Sequence, residues 1–147
     1  WFAYEYPQVN PSEDICAREH SPLVKLFFCL RELPGRSLAE TQLYWRTNHG
    51  PLIRSVAPGF RMQRYLQVHY CDDMPVIAAL RAARGTLTPP YAGHAEAWFN
   101  RADLMTMANV PEANRAMELA IEDERKFIDF GRSAMWIGKE RVFIDRR

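Results

Sequence analysis

The chain has 147 residues, of which 48% are hydrophobic and 25% charged, and its net charge is +1. These are the proportions of an ordinary globular domain, long enough to bury a core without staples, and they exclude a collagenous or disordered chain. With 19 basic against 18 acidic residues and no dense basic run, the electrostatic footprint that phosphate backbones require is missing, so no nucleic-acid partner is expected.

Cys16, Cys29 and Cys71 cannot all pair within one chain, and none stands in a C-x-x-C arrangement, which points to a reducing compartment. Cys29 lies in an apolar run, where a free thiol packs as a small hydrophobe. No apolar stretch reaches bilayer-spanning length and no charged-then-apolar signal opens the chain, so a soluble cytoplasmic protein with no membrane partner is expected. Because the sequence opens on Trp1 instead of Met, the numbering is expected to begin part-way into the encoded chain, leaving room for a removed leader.

Residues 1–22 mix Trp1, Phe2, Tyr4 and Tyr6 with Pro7, Pro11 and Pro22 and show no sustained period. They read as an N-terminal arm lying on the body or on a neighbouring subunit, ahead of a single domain over 23–147. Val24 to Leu30 alternates as a first strand, with Val24, Leu26, Phe28 and Leu30 on one face and Lys25, Phe27, Cys29 and Arg31 on the other. Both faces carry apolar residues, so helices are expected over one and a cavity or partner over the other. After the turn Leu33-Pro34-Gly35-Arg36, Ser37 and Glu40 have the spacing of a capping box and start a helix. That helix is expected to stop at Gly50-Pro51, with Pro51 opening a second short helix over Leu52 to Val56. His49 is therefore placed beside a helix break.

Phe60 to Tyr70 alternates as a second strand, with Arg61, Gln63, Tyr65, Gln67 and His69 forming a polar row on one face. Cys71 to Pro90 reads as an excursion near the site, with a short helix over Val76 to Arg84. His94 to Phe99 is a third strand that puts His94, Glu96 and Trp98 on one side. A helical turn over Arg101 to Met107 precedes a longer helix from Pro111 to about Phe130, buried through Ala113, Met117, Ala120, Ile121, Phe127 and Ile128 and ended by Gly131. The mixed charges Glu122-Asp123-Glu124-Arg125-Lys126 read as its solvated face. Met135 to Asp145 supplies a last strand centred on Val142-Phe143-Ile144. The order β-α-β, excursion, β-α-β over one antiparallel sheet, with helices on one face, is the ferredoxin-like α+β arrangement.

Lys25-Leu26-Phe27-Phe28, then Leu33-Pro34-Gly35-Arg36-Ser37-Leu38, then Tyr44-Trp45 with His49-Gly50-Pro51-Leu52, resembles the EthD family of dimeric α+β barrel proteins. Asp123-Glu124 with Phe127-Ile128-Asp129 is a second, weaker echo. The resemblance spans roughly Leu23 to Ile144 in order of elements, and its first block is the specific part. It implies a dimeric α+β barrel, in which two sheets pack face to face in a homodimer and each subunit holds a mostly apolar small-molecule pocket. Its members include dehydratase-like and decarboxylase-like enzymes, and fold alone does not name the reaction.

His49 falls four residues after Trp45 and four before Ile53, so it points inward with the apolar face. Burial keeps an imidazole neutral, the form that accepts a proton, so His49 is the candidate general base. The alternative is a core histidine satisfied by backbone carbonyls. Tyr65, His69 and His94 are further catalytic candidates, as donors to a substrate carbonyl or a leaving hydroxyl. Gln63 and Glu96 supply polar contacts, and Tyr44, Trp45 and Trp98 an aromatic wall able to stack on a substrate. His94-x-Glu96 lacks a third close-spaced ligand, so no metal and no cofactor is expected; a histidine–carboxylate pair or a plain surface pair are the readings left. Together with the resemblance, these residues make a cofactor-independent lyase or isomerase (dehydratase-, decarboxylase- or cyclase-like) acting on a small hydrophobic carbonyl- or phenol-bearing compound the leading expectation. The rivals are a cofactor-free oxygenase or haem-binding protein on the same fold, and a non-catalytic small-molecule carrier.

Overall fold

The computed structural model describes residues 3–71 and 75–144. Five antiparallel strands form one sheet in the order β1-β3-β4-β2-β5. They are β1 (Ala3–Val9), β2 (Leu23–Leu30), β3 (Arg64–Tyr70), β4 (Gly93–Asn100) and β5 (Ala134–Gly138). The last four, with helices between β2 and β3 and between β4 and β5, make the expected β-α-β-β-α-β unit in the ferredoxin-like strand order.

Two expectations at the chain ends fail. The opening segment is not only an arm: Ala3–Val9 pairs with β3 and becomes the sheet edge, Tyr4 opposite His69 and Tyr6 opposite Gln67. Pro7 within it is tolerated because an edge strand leaves every second N–H unpaired. At the other end, β5 pairs with β2 through Ala134 to Gly138, and Val142, Phe143 and Ile144 are exposed beyond it. Lys139 and Glu140 leave the strand to bond across the sheet, which ends the ladder before that apolar triplet. Trp1, Phe2 and Asp145, expected in the arm and the last strand, lie outside the described residues, as do 72–74 of the excursion.

The helical segment after β2 is continuous, where a break was expected. Ser37 accepts the Glu40 N–H at 3.2 Å and Glu40 accepts the Ser37 N–H at 2.9 Å, so the capping box starts α1 (Leu38–Tyr44). A π-helical turn over Trp45–His49 then joins α1 to α2 (Gly50–Phe60). Pro51 has no N–H to give to the preceding turn, and widening that turn by one residue lets the axis continue, with Gly50 N–H reaching back to Trp45 O. Arg61, at φ 51°, ends α2, so β3 begins at Arg64 and Phe60 belongs to the helix. A short helix α3 (Pro75–Ala83) occupies the excursion, and α4 (Arg101–Thr106) and α5 (Pro111–Glu124) lead to β5. The expected helix to Phe130 stops at Glu124 because Leu33 N–H to Phe127 O and Asp129 N–H to Arg31 O draw the chain back to the body, sinking Phe127 and Ile128 into the core.

One face of the sheet carries the helices and the main core, which includes Phe28, Leu30, Trp45, Tyr65 and Phe127. The opposite face is covered over its β3–β4 half by residues 10–22: Ala17, fully buried, packs with Leu66, Val68 and Trp98. Lys25 is buried there, its ammonium 2.6 Å from Glu96 and 2.9 Å from Glu140 and 4.5 Å above the rings of Phe27 and Trp98. Glu140 also accepts the Ala17 N–H and the Trp98 Nε1–H, so one carboxylate ties both ends of the chain to the sheet. Glu140→Ala is expected to cost on the order of 2–4 kcal/mol by stranding these donors. Urea unfolding checks it, and an unchanged midpoint would reduce this cluster to decoration.

Candidate active site

The π-helical turn and the end of α5 meet over a cavity of about 530 Å³ between the sheet and the helices. Leu26, Phe28, Ile53, Phe99, Met117 and Ile121 supply apolar wall, and Ala95 and Ala97 of β4 stand where large strand residues would fill the space. The polar groups set into this wall are His49, Tyr65 and Glu124, with the exposed Arg125 at its rim.

His49 is 2% exposed and its ring lies 5.2 Å from that of Phe127. Its Nδ1 donates to Asp123 Oδ2 at 2.9 Å. Asp123 Oδ1 accepts from the Tyr44 hydroxyl at 2.6 Å and from Lys126 Nζ at 3.2 Å. Burial alone would raise the Asp123 carboxyl, but donation from Tyr44, His49 and Lys126 holds it below the usual carboxylate range. An ionised Asp123 keeps the proton of His49 on Nδ1 and turns the Nε2 lone pair toward the cavity. Burial depresses the His49 pKa, and the hydrogen bond and charge of Asp123 only partly offset it, so the ring is neutral at pH 7. Glu124 Oε1 lies 3.8 Å from Nε2, and burial, with the Asp123 charge adding to it, pushes the Glu124 carboxyl up to about 7. The arrangement is a buried base with a fixed tautomer next to a carboxyl poised between its two protonation states.

The family model of the EthD domain matches residues 33–131, well over half of the chain and all of the segments that carry these groups. The chain belongs to the EthD family. Among solved structures it is similar to a dimeric protein of unknown function and ferredoxin-like fold from Bacteroides fragilis, with a TM-score of 0.52 and 9% identity over 82% of this chain and 98% of that one. Identity that low speaks for the fold alone. No curated protein sequence matches it.

Of the residues singled out in the sequence, this EthD domain brings His49 and Tyr65 to the cavity. Tyr44 and Trp45 stand one layer behind: Tyr44 holds Asp123, and Trp45 Nε1 donates to the Tyr65 hydroxyl at 3.1 Å. Burial raises the Tyr65 pKa, so its hydroxyl stays protonated and can donate. His69 is on the same sheet face but under Trp45, stacked on it at 4.5 Å and bonded to Gln67 at 3.2 Å, outside the cavity lining. Gln63 precedes β3 and is exposed. His94, Glu96 and Trp98 face the opposite side of the sheet, because strand side chains alternate and Ala95, Ala97 and Phe99 take the cavity side. There His94 Nε2 and Glu96 Oε1 are 2.8 Å apart, a paired histidine and carboxylate, and Glu96 also holds the Lys25 ammonium. Among the described residues, no group of three or more His, Cys, Asp or Glu is placed to hold a metal ion.

Asp123 and Glu124 are the inward-facing carboxyls that the mixed-charge pattern of residues 122–126 hides. Their signal is positional: Ala113, Ala116, Ala120 and Asp123 share one buried stripe of α5, and Met117, Ile121 and Glu124 the stripe beside it.

Burial, with the Arg46 charge adding to it, pushes His69 down to about 4. Between an unfolded histidine value of ~6.5 and that value, the unfolded chain binds a proton that the native chain refuses. The His69 contribution to stability is therefore present above this window and lost as pH falls through it. His69→Phe is expected to gain on wild type by on the order of 1 kcal/mol per pH unit across the window. Urea midpoints measured through it check the slope, and parallel curves would contradict the assignment.

Proposed function

We propose that this EthD-family chain is a cofactor-independent lyase or isomerase for a small, hydrophobic, carbonyl- or phenol-bearing compound, with His49 as its general base. The observation that carries the reading is the Asp123–His49 contact, which directs an unprotonated Nε2 into an apolar cavity. A carbonyl compound seated there presents the carbon next to its C=O to Nε2. The imidazole takes that hydrogen as a proton, the C–H electron pair moves into an enolate, and the Tyr65 hydroxyl donates to the enolate oxygen. Tyr44 and Lys126 act through Asp123, and Trp45 acts by holding Tyr65. A core histidine would be satisfied at both nitrogens within the fold, whereas Nε2 has a carboxyl at 3.8 Å, beyond hydrogen-bond length, and open volume beside it.

The working unit in this reading is a homodimer in the cytoplasm. Support for the first part comes from Trp136, Ile137, Phe143 and Ile144, which are 49–91% exposed along one end of the sheet. Support for the second comes from Cys16, Cys29 and Cys71, none of which forms a disulfide. Sedimentation is expected to give twice the 17.1 kDa chain mass; a monomer at micromolar concentration would remove the dimer from the proposal.

The probe for the base is 1-tetralone, a neutral bicyclic ketone, followed by proton NMR as its α-hydrogens exchange in deuterated buffer. Wild type is expected to accelerate the exchange, and His49→Gln to lose about 10²–10⁴-fold with an unchanged melting temperature. Exhaustive chelation is expected to leave the wild-type rate intact. Binding of 1-tetralone without exchange would make the protein a carrier. A His49→Gln variant that exchanges at the wild-type rate, or activity that one metal alone restores, would sink the proposal.

A further inference from the structure

Glu124 is the second of two adjacent inward-facing carboxyls at the end of α5. Among the described residues no Lys or Arg side chain forms an ion pair with it, although Lys126 and Tyr44 both serve Asp123 one residue before. Its side chain is 18% exposed and lines the same cavity as His49 Nε2, 3.8 Å away. That distance is too long for a hydrogen bond, so neither atom is consumed by the other and both address the same volume. Facing the pair are the Tyr65 hydroxyl from β3, the ionised Asp123 behind His49, and the exposed Arg125 at the rim. An ionised carboxylate in this wall would meet the Asp123 charge and apolar side chains, and neutralising it removes that cost.

We propose that Glu124 is the acid of the site, giving its proton to the hydroxyl that a neutral β-hydroxycarbonyl substrate loses while His49 takes the hydrogen from the carbon between that hydroxyl-bearing carbon and the carbonyl. The inference rests on the His49 reading and deepens it to a dehydration. His49 Nε2 removes the α-hydrogen as a proton and the C–H electron pair forms the new C=C bond. The C–O bond breaks with its electron pair on oxygen, which takes the proton of Glu124 and leaves as water. The site is left with an imidazolium and a carboxylate side by side, and transfer of the proton from Nε2 to Glu124, through the water just formed, restores both groups. The Glu124 carboxyl, pushed up to about 7 by burial and the Asp123 charge, has a proton to give at neutral pH. Base and acid on one wall, a few ångströms apart, suit removal of hydrogen and hydroxyl from the same face of the substrate.

The same geometry selects on charge. Arg125 is the one Lys or Arg among the described cavity-lining residues, and it is exposed at the rim, so a carboxylate ligand in the interior would meet apolar wall with no counter-charge and with the Asp123 carboxylate one layer behind. The substrate is neutral, and a decarboxylation, which begins from a bound carboxylate, does not suit this cavity.

The probe is 3-hydroxy-1-tetralone, which on losing water becomes 1-naphthol, read by its fluorescence. Wild type is expected to catalyse the loss, with a rate that falls as pH rises through about 7, where Glu124 gives up its proton. Glu124→Gln, which keeps the shape of the side chain, is expected to lose about 10²-fold or more in kcat, to lose that alkaline limb, and to melt and bind 1-naphthol as wild type does. In the wild type, 1-naphthoate is expected to bind at least about tenfold more weakly than 1-naphthol. A Glu124→Gln variant that dehydrates at the wild-type rate, or keeps the alkaline limb, overturns the acid assignment while leaving the His49 test on 1-tetralone untouched. Equal affinity for 1-naphthoate overturns the neutral-substrate claim. Wild type that exchanges 1-tetralone but forms no 1-naphthol overturns the dehydration and spares the base; wild type that does neither overturns both.

Discussion

The contact between Asp123 and His49 joins the two parts of the fold on which the site depends. One partner comes from the widened helical turn before Pro51 and the other from the last turn of α5, so the hydrogen bond exists only when both helices lie on the same face of the sheet. It also sets the tautomer. A histidine buried this deeply would be neutral in any case, but either nitrogen could then carry the proton. The carboxylate removes that ambiguity, and its own ionisation is maintained by Tyr44 and Lys126. Widened turns of this kind are frequent at functional sites.

The sheet divides its two faces between different tasks. On the helix side, alanines at 95 and 97 withhold volume, so the layers enclose a cavity where a close-packed core would otherwise form. On the other side, large residues and a buried ammonium close the surface: Trp98, Leu66 and Val68 meet Ala17, and Lys25 joins Glu96 and Glu140. The histidine–carboxylate pair His94–Glu96 belongs to this second network. Its two residues look like site chemistry in one dimension, yet pleating puts them across the sheet from His49. The stability of the clamp and the chemistry of the cavity are thereby separable, sharing β4 but not a face of it.

Proton affinity follows the same division. Where a carboxylate meets donors, as at Asp123, Glu96 and Glu140, those donors outweigh burial and the group stays ionised. Where it meets apolar wall and a neighbouring negative charge, as at Glu124, burial prevails and the proton is held to near-neutral pH. Two adjacent acids on one helix thus differ in proton affinity because one turns toward Tyr44 and Lys126 and the other toward the cavity.

Much of the fold was legible in order. The capping box at Ser37, the period-two runs of β2 and β4, and proline at the start of α5 are local signals, and the ferredoxin-like topology follows from their succession. The inward placement of His49 was legible as well, through its spacing from Trp45 and the segment around it. The local signals misled where long-range partners prevailed: Ala3–Val9 is a strand because β3 offers an edge, and Val142-Phe143-Ile144 is not because Glu140 is drawn across the sheet. The site itself was half hidden. Asp123 and Glu124 sit in a charge run whose composition is that of a solvated face, and only the packing of α5 against the π-helical turn turns two of its five residues inward. The sequence by itself determined which helices and strands can form and that a histidine stands at a proline-induced irregularity, because capping, periodicity and backbone sterics act over a few residues. Which carboxylates meet that histidine, and what protons they carry, was decided by tertiary structure alone, because burial and charge proximity depend on neighbours 74 residues away along the chain.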